Sequence, residues 1–205
     1  ILFLLFFARI SLGFQFQTMG SVSSQVIDEL DFNYTQIGSL IGLFMVPGLF
    51  LAIPAGLTGN FFSDKFIIGL GLITLSLGGS IASLSETYEL FFAGRLICGI
   101  GFVFSTIFFA KVTTDWFEGK ELATAMSILV MSWPFGIAMG QIGHGWLATN
   151  FDWRWAFIIA SSYCAISALL IMVLFHSPPH IRSEKIRVAI RLNGNELFFT
   201  LLASS

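Results

Sequence analysis

The sequence predicts an all-α membrane protein, a bundle of six transmembrane helices, and two observations carry that prediction. The 205 residues are 56% hydrophobic and only 11% charged, with 24 phenylalanines. The apolar residues form long stretches, and the stretch between Lys65 and Glu86 contains no charged residue. About 20 apolar residues in a helix cross the hydrocarbon core of a bilayer. A soluble domain of this length could not keep so apolar a surface hydrated.

Each of six apolar stretches must form a helix, because in lipid every backbone N–H needs a partner within its own segment. A transmembrane barrel would show segments of about ten residues that alternate apolar and polar, and the sequence lacks that alternation. Short polar connectors at 28–31, 60–65 and 86–89 separate the first four stretches. The predicted spans, numbered first to sixth, are residues 1–21, 36–57, 66–84, 90–110, 122–148 and 155–175.

Both ends of the chain indicate a longer protein. Ile1 stands within an apolar run, without the basic region and cleavage site that are typical of a signal peptide. Another apolar segment begins near Glu196 and stops at Ser205. We therefore expect residues 176–195 to be a cytoplasmic connector and residues 196–205 to be the start of a seventh helix.

The basic residues predict that the N-terminal side is cytoplasmic. If the first helix runs outward, Arg154 is the only basic residue in an outer connector, whereas seven basic residues lie in inner segments. This asymmetry agrees with the positive-inside rule. We expect an integral protein of a bacterial inner (plasma) membrane. The inner basic residues are Lys65, Lys111, Lys120, Arg182, Lys185, Arg187 and Arg191.

Two basic residues, Arg9 and Arg95, lie inside predicted spans whose cores contain no Asp or Glu. A guanidinium in hydrocarbon is costly unless it meets water or a partner. Each Arg could snorkel or bond to carbonyl groups of a neighbouring helix. Alternatively, both could bind an anion in a central cavity, since the guanidinium fork suits a carboxylate. Gln15 and Gln17 follow Arg9 on the first helix and lie about 200° apart around its axis, so at most one of them faces the same cavity. Gln17 is our candidate.

Other polar residues in the spans point less clearly to a function. We interpret His144 as a satisfied structural residue in preference to a proton carrier. Cys98 and Cys164 are interpreted as buried free thiols. The sequence shows neither a metal-ligand cluster nor a nucleophile–base pair within the spans. We therefore expect no enzyme activity, no metal and no nucleic-acid partner.

Glycines are concentrated on the fourth and fifth spans. Gly99 and Gly101 lie on the fourth, and Gly136 and Gly140 form a small-xxx-small pair on the fifth. Small residues let helix backbones approach and slide. Pro134 removes a backbone donor, so we expect a kink in the fifth helix. These residues are predicted to serve packing and gating.

With its basic connector and the start of a seventh helix, this pattern resembles the amino-terminal half of a major facilitator superfamily transporter. Residues 54–65 occupy the place of that family's signature between helices two and three, and Gly56 and Lys65 match it. In the family this loop is implicated in gating through a charge relay. The copy here is degenerate at Asn60, Phe61, Ser63 and Asp64.

Three further signatures follow in the family's order and bring the resemblance to nearly the whole chain. Residues 95–101 match Arg-x-x-x-Gly-x-Gly, in which the family's Arg is linked to substrate or proton coupling. Residues 132–140, which include Trp133, resemble the Gly/Pro-rich signature of the fifth helix. Residues 152–157 resemble the common beginning of helix six.

Within the superfamily, Arg9 and residues 111–122 look most similar to the cyanate- and nitrate-permease-like group. A lysosomal dipeptide-carrier-like group shares the pattern Trp-Phe-x-Gly-Lys-Glu-Leu. These groups carry anions or small zwitterions, so the resemblance implies a secondary active transporter for such a solute. Arg9, Gln17 and Arg95 would then bind the solute, and the loops 57–65 and 111–121 would form the inner gate.

The resemblance also implies a twelve-helix fold whose carboxy-terminal half is missing here. Solute would bind between the two halves, with access alternating across the bilayer. The co-transported ion would be a proton or sodium, and no prosthetic cofactor is implied. Two other classes stay open: a non-transporting receptor or sensor on the same scaffold, and a membrane-embedded enzyme.

Overall fold

The computed structural model describes residues 1–117 and 119–176, and every regular element among them is a helix. The predicted connector beyond His176 and the predicted seventh helix at 196–205 lie outside the described residues. The eight helices are α1 (Leu2–Ser21), α2 (Ser23–Leu30), α3 (Tyr34–Leu43), α4 (Val46–Thr58), α5 (Asp64–Ser83), α6 (Tyr88–Trp116), α7 (Lys120–Asn150) and α8 (Arg154–Leu174).

Among the described residues, six helical segments are long and apolar enough to cross a membrane, which confirms the predicted fold class. The first span is α1, the second is α3 with α4, and the third to sixth are α5 to α8. Helix α6 has 29 residues and α7 has 31. At 1.5 Å per residue both are about 45 Å long, against roughly 30 Å of hydrocarbon. Their ends therefore extend past the apolar residues that predicted them.

The structure divides the second span, a break that the sequence analysis did not foresee. Helix α3 ends at Leu43 and α4 begins at Val46, with Pro47 in the first turn of α4. Proline is well suited to a first turn because it has no N–H to satisfy there. In a continuous helix the same missing donor would leave the carbonyl of Leu43 unpaired. The Met45 N–H donates to Gly42 O across the break, at 2.9 Å.

A short helix, α2, forms most of the first connector. It ends at Leu30 and is capped by Asp31, whose φ of 59° lies in the left-handed region that closes many helices. Asn33 then begins α3 with a capping box, in which its side chain accepts from Gln36 N and Gln36 Oε1 accepts from Asn33 N. This connector is thus ordered by local hydrogen bonds that its polar residues supply.

The helices differ in how much of their surface the bundle covers. The spans formed by α1 and α5 are each 56% buried, whereas α3 with α4 is 28% buried and α7 is 22% buried. Helix α5 packs against both α6 and α8, and α1 packs mainly against α7. The bundle therefore has a centre built on α1, α5 and α6, with α7 attached to it largely through α1.

Candidate solute and gating site

Arg95 is fully buried and joins three helices. Its Nε donates to Leu40 O at 3.1 Å on α3, and its Nη2 donates to Phe16 O at 3.4 Å on α1. The guanidinium carbon lies 4.8 Å from the ring centre of Phe44. Leu40 is in the last turn of α3, where carbonyl groups lack a helical donor. Arg95 therefore caps α3 at the break, where its charge also suits the helix dipole.

The two glycines that follow Arg95 allow α6 to lie against backbone. A methyl group at Gly99 would come closer than 3.0 Å to Phe44 O and to the Pro47 ring, at the break in the second span. A methyl group at Gly101 would come equally close to Gly71 O on α5. The Arg-x-x-x-Gly-x-Gly signature thus places α6 against α1, α3, α4 and α5.

Arg9 joins α1 to α7. Its Nη1 donates to the carbonyl of Leu129 and, at 3.2 Å, to Ser132 Oγ. The side chain is half-buried, so it is more accessible than that of Arg95. Both arginines therefore bond to carbonyl groups of neighbouring helices, as one of the two interpretations expects. Anion binding by either remains a prediction.

Neither arginine has a carboxylate partner among the described residues. The ion pairs found there are those of Lys111 with Asp64 and Asp115, and those of Arg154 with Glu29 and Asp152. Arg9 Nε and Arg95 Nη1 are buried without a hydrogen-bond partner in the same part of the chain. The interior of the six spans therefore holds two guanidinium groups that meet only neutral atoms within the described bundle.

The middle of the α1–α7 interface is a close backbone contact. A methyl group at Gly136 would collide with Ile10 O, and one at Gly13 would collide with Trp133 O. The Trp133 ring packs between Phe16 and Phe102, at centre distances of 5.3 and 5.0 Å. Helix α7 continues through the exposed Pro134, and the expected kink stays a prediction.

A polar seam lies further along the same interface, defined here as Gln17, Ser21 and Gln141. The Gln17 Nε2 donates to Gln141 Oε1 and, at 3.3 Å, to Ser21 Oγ. Ser21 Oγ also lies 3.4 Å from Gly140 O, which accepts from it. A methyl group at Gly140 would be 3.0 Å from Gln17 Cβ. The structure thus brings the predicted residues Gln17 and Gly140 together.

The predicted loop residues Gly56 and Lys65 show no such convergence. Gly56 is exposed, and a methyl group there would meet nothing within 4 Å. Lys65 is half-buried in the first turn of α5. Their roles in gating stay predictions, since the described bundle provides no packing partner for Gly56.

The neighbouring residue Asp64 forms an ion cluster that the sequence analysis missed. Lys111 Nζ at the end of α6 lies 2.8 Å from Asp64 Oδ2 and 2.6 Å from Asp115 Oδ2. In the sequence, Asp64 stands out only as a departure from the family signature. The spacing of Lys111 and Asp115 by four residues could have indicated half of the cluster. The other half joins residues 47 positions apart, for which the sequence carries no local signal.

At the opposite end of the bundle, the start of α8 is tied to α2. Arg154 Nη1 donates to Glu29 Oε1 at 2.6 Å and to Asp152 Oδ2 at 3.3 Å. Trp153 Nε1 donates to Glu29 Oε2 at 2.8 Å. The motif at 152–157 therefore anchors the first connector.

Comparison with known proteins identifies a matching family and several relatives. The sequence profile of the Major Facilitator Superfamily matches residues 5–200. The chain is 23% identical over 171 residues to Protein spinster homolog 1 of Xenopus tropicalis, covering 82% of this chain and 32% of that one. It is 24% identical over 179 residues to the probable galactarate/D-glucarate transporter GarP of Escherichia coli (strain K12), covering 83% and 40%.

The fold has a counterpart among solved structures. The crystal structure of a bacterial homologue of the human lysosomal transporter Spinster, inward-facing and unoccupied, superposes with a TM-score of 0.71 at 23% identity. The match covers 87% of this chain and 43% of that one. The chain thus spans less than half the length of the proteins it matches here, as the predicted half-fold implies.

Proposed function

This chain belongs to the Major Facilitator Superfamily, and on that premise we propose that the full-length protein is a secondary transporter of a small anionic or zwitterionic solute. Alternating access between two six-helix halves is the mechanism of such folds. The observation that carries the proposal is the pair of arginines in the spans, Arg9 and Arg95, whose partners in the described bundle are all neutral.

The charge of these arginines favours an anionic group on the solute. A guanidinium removed from water loses solvation that neutral carbonyl groups replace only in part. A carboxylate offers parallel hydrogen bonds as well as opposite charge. Arg9, half-buried, is the arginine that a solute would contact first, and Gln17 lies two turns along the same helix. Arg95 is fully buried and would interact with the bound solute through its unpaired Nη1.

One relative supports an anionic solute in particular. GarP is named for galactarate and D-glucarate, which are both dicarboxylates. The likeness of Arg9 and residues 111–122 to the cyanate- and nitrate-permease-like group is part of the same proposal, since those solutes are also anions. A proton or sodium ion would be the co-transported partner.

We assign the gate to the end of the bundle that carries Asp64 and Lys111. The loops 57–65 and 111–121 would form it, with Gly56 and Lys65 facing the other half of the full-length protein. Gly99, Gly101, Gly136 and Gly140 would let the helices rearrange without losing contact. With the N-terminal side in the cytoplasm, this gate faces inward.

Uptake by the full-length protein in liposomes tests the solute class. We expect uptake of D-glucarate and little of D-glucitol, a neutral analogue of similar size. Arg9→Gln should abolish uptake, whereas Arg9→Lys keeps the charge without the fork and should retain part of it. Equal uptake of glucitol and glucarate, or full uptake by Arg9→Gln, would contradict the proposal.

A non-transporting receptor on the same scaffold is the second candidate, and the degenerate loop at 56–65 favours it. A single measurement distinguishes the receptor from the transporter. Binding of D-glucarate to the purified protein without any uptake into liposomes would support the receptor.

Orientation is tested by labelling with an impermeant thiol reagent. A cysteine introduced at Glu86 should react from outside intact cells, and one at Lys185 only after permeabilisation. The reverse pattern would place the proposed inner gate on the outer side.

A further inference from the structure

We propose that His144 is the proton-binding residue of the transport cycle, which makes the co-transported ion a proton. This inference rests on the proposed function and deepens it. His144 is fully buried on α7, and neither ring nitrogen hydrogen-bonds to any described residue. A structural histidine would be expected to use at least one nitrogen, because leaving a buried polar group unpaired is unfavourable. The structure therefore argues against the satisfied structural role that the sequence suggested.

The side chains of α1 that pack around His144 are neutral. Its ring lies 4.2 Å from the ring centre of Phe14 on α1. A methyl group at Gly140, one turn earlier on α7, would be 3.3 Å from His144 Cε1 and 3.0 Å from Gln17 Cβ. The polar seam of Gln17, Ser21 and Gln141 thus adjoins the imidazole. Separation of α1 from α7 at this seam would open the ring to water or solute.

The ionisable groups of the packed helices are engaged elsewhere. Arg9 on α1 bonds to α7 at Leu129 and Ser132, at least twelve residues from His144 or about 18 Å along the axis. On α8, Tyr163 donates its hydroxyl to Phe7 O at 2.7 Å, and Cys164 donates to Ser11 O at 3.7 Å. On α6, Arg95 bonds to α1 and α3. Beyond them, Arg154 pairs with Glu29 and Asp152.

Few other groups in the described spans could carry a proton near neutral pH. The carboxylates of these spans stand at helix ends, and the arginines stay protonated throughout the physiological range. Histidine is the side chain whose ordinary titration falls there. His144 is therefore the group within the span interiors of the described residues that suits reversible protonation. The end carboxylates are Asp64, Glu89, Asp115 and Glu121.

Protonation of His144 would be coupled to the anion by charge. The proton binds to the lone pair of one ring nitrogen and adds one positive charge to the ring. It is released again as a proton on the other side of the membrane. A buried imidazolium without a counter-charge is unfavourable in the closed packing. An anion near the open seam offsets that cost, so each of the two increases the affinity for the other. Such linkage is what symport of an anion with a proton requires.

The transport test uses the full-length protein in liposomes with a pH-sensitive dye inside and the membrane potential clamped. An inward D-glucarate gradient should acidify the lumen with the wild type. His144→Gln and His144→Asn remain polar but cannot carry the proton, so both should lose acidification, and any remaining D-glucarate exchange should show a lower affinity. His176→Gln, a control at an exposed residue after α8, should behave like the wild type. Unchanged acidification in either His144 variant would overturn the proposal.

A second measurement does not depend on transport of the chosen solute. In nanodiscs, the 15N signals of labelled histidine report ring protonation, and the His144 signal is identified by its loss in His144→Gln. We expect that signal to titrate reversibly while the protein stays folded. A ring that stays neutral until the protein unfolds would overturn the proton-binding role. If the wild type moves no D-glucarate while His144 titrates, the proposed solute fails and the proton site stands.

Discussion

The α5–α6 and α1–α7 interfaces both bring glycines against backbone, but they differ in what surrounds those contacts. Between α5 and α6 there are two such contacts, Gly71 with Gly101 and Gly78 with Gly94. Between α1 and α7, the contact of Gly13 with Gly136 is flanked by polar side chains on both sides. The first interface is therefore closed mainly by backbone packing, whereas the second combines one backbone contact with flanking hydrogen bonds that water or solute could replace.

The environment of the two pairs reinforces this difference. Helix α5 is 56% buried and packs closely on both α6 and α8, whereas α7 is 22% buried and packs closely on α1 alone. The α5–α6 pair is also tied at one end by Lys111 and Asp64. We infer that α5 and α6 move as one body and that rearrangement is concentrated where α7 meets α1. The predictions below test that division.

The largest effect is expected in the α5–α6 interface. Gly101→Ala places a methyl group against Gly71 O, and Gly78→Ala places one against Gly94 O. Backbone cannot yield as a flexible side chain can, so each should destabilise the fold by about 1–3 kcal/mol. The measurement is thermal unfolding in detergent, with Gly42→Ala as the control because its methyl group meets nothing within 4 Å. Equal stability of all three variants would show that this interface is not rigid.

Gly136→Ala should damage transport more than folding. Its methyl group would collide with Ile10 O on α1, but α7 is only 22% buried and can shift to relieve the collision. The change does not lower hydropathy, so insertion should be normal. Solute uptake and membrane content are measured together, with Gly145→Ala on the same helix as the control, since its methyl group has open space. Normal uptake by Gly136→Ala would mean that the α1–α7 contact has no part in the cycle.

Arg95 on α6 bonds to α1 and so links the two interfaces. Its substitution should affect both stability and transport. Arg95→Ala leaves the carbonyl groups of Leu40 and Phe16 without their donor, at a cost of about 1–3 kcal/mol. Arg95→Lys keeps the charge but cannot reach both carbonyl groups as the fork does, so it should recover part of each property. Thermal unfolding and D-glucarate affinity are the measurements. Wild-type affinity and rate in Arg95→Ala would remove Arg95 from the proposed solute site.

The ion cluster at the end of the α5–α6 pair should contribute least. Lys111 is partly exposed, and such pairs are worth roughly 0.2–1 kcal/mol. A double-mutant cycle with Asp64→Asn and Lys111→Met isolates the pair, and its coupling should fall as salt is raised. A coupling that is independent of salt would indicate a contact shielded from solvent, and hence a tighter clamp than the structure suggests.

The spans could be predicted closely because their cause is local. Long apolar runs and the need to pair backbone groups in lipid are properties of each segment by itself. The break at Phe44 and Met45 was missed although Pro47 and Gly42 mark it, because apolar residues continue on both sides. The helices also extend past their apolar cores: α6 continues from Lys111 to Trp116 although it has left the predicted span.

By itself, the sequence determined the class of the protein, the six spans and the presence of two arginines within them, since composition and periodicity act along the chain. Only the tertiary structure decided which residues these side chains and glycines contact. It placed Arg95 on the end of α3, Arg9 on Leu129, Lys111 on Asp64 and Gly101 on Gly71. Each pairing joins residues that are distant in sequence. Packing geometry selects them, because the same side chains could satisfy their hydrogen bonds and charges with many other groups.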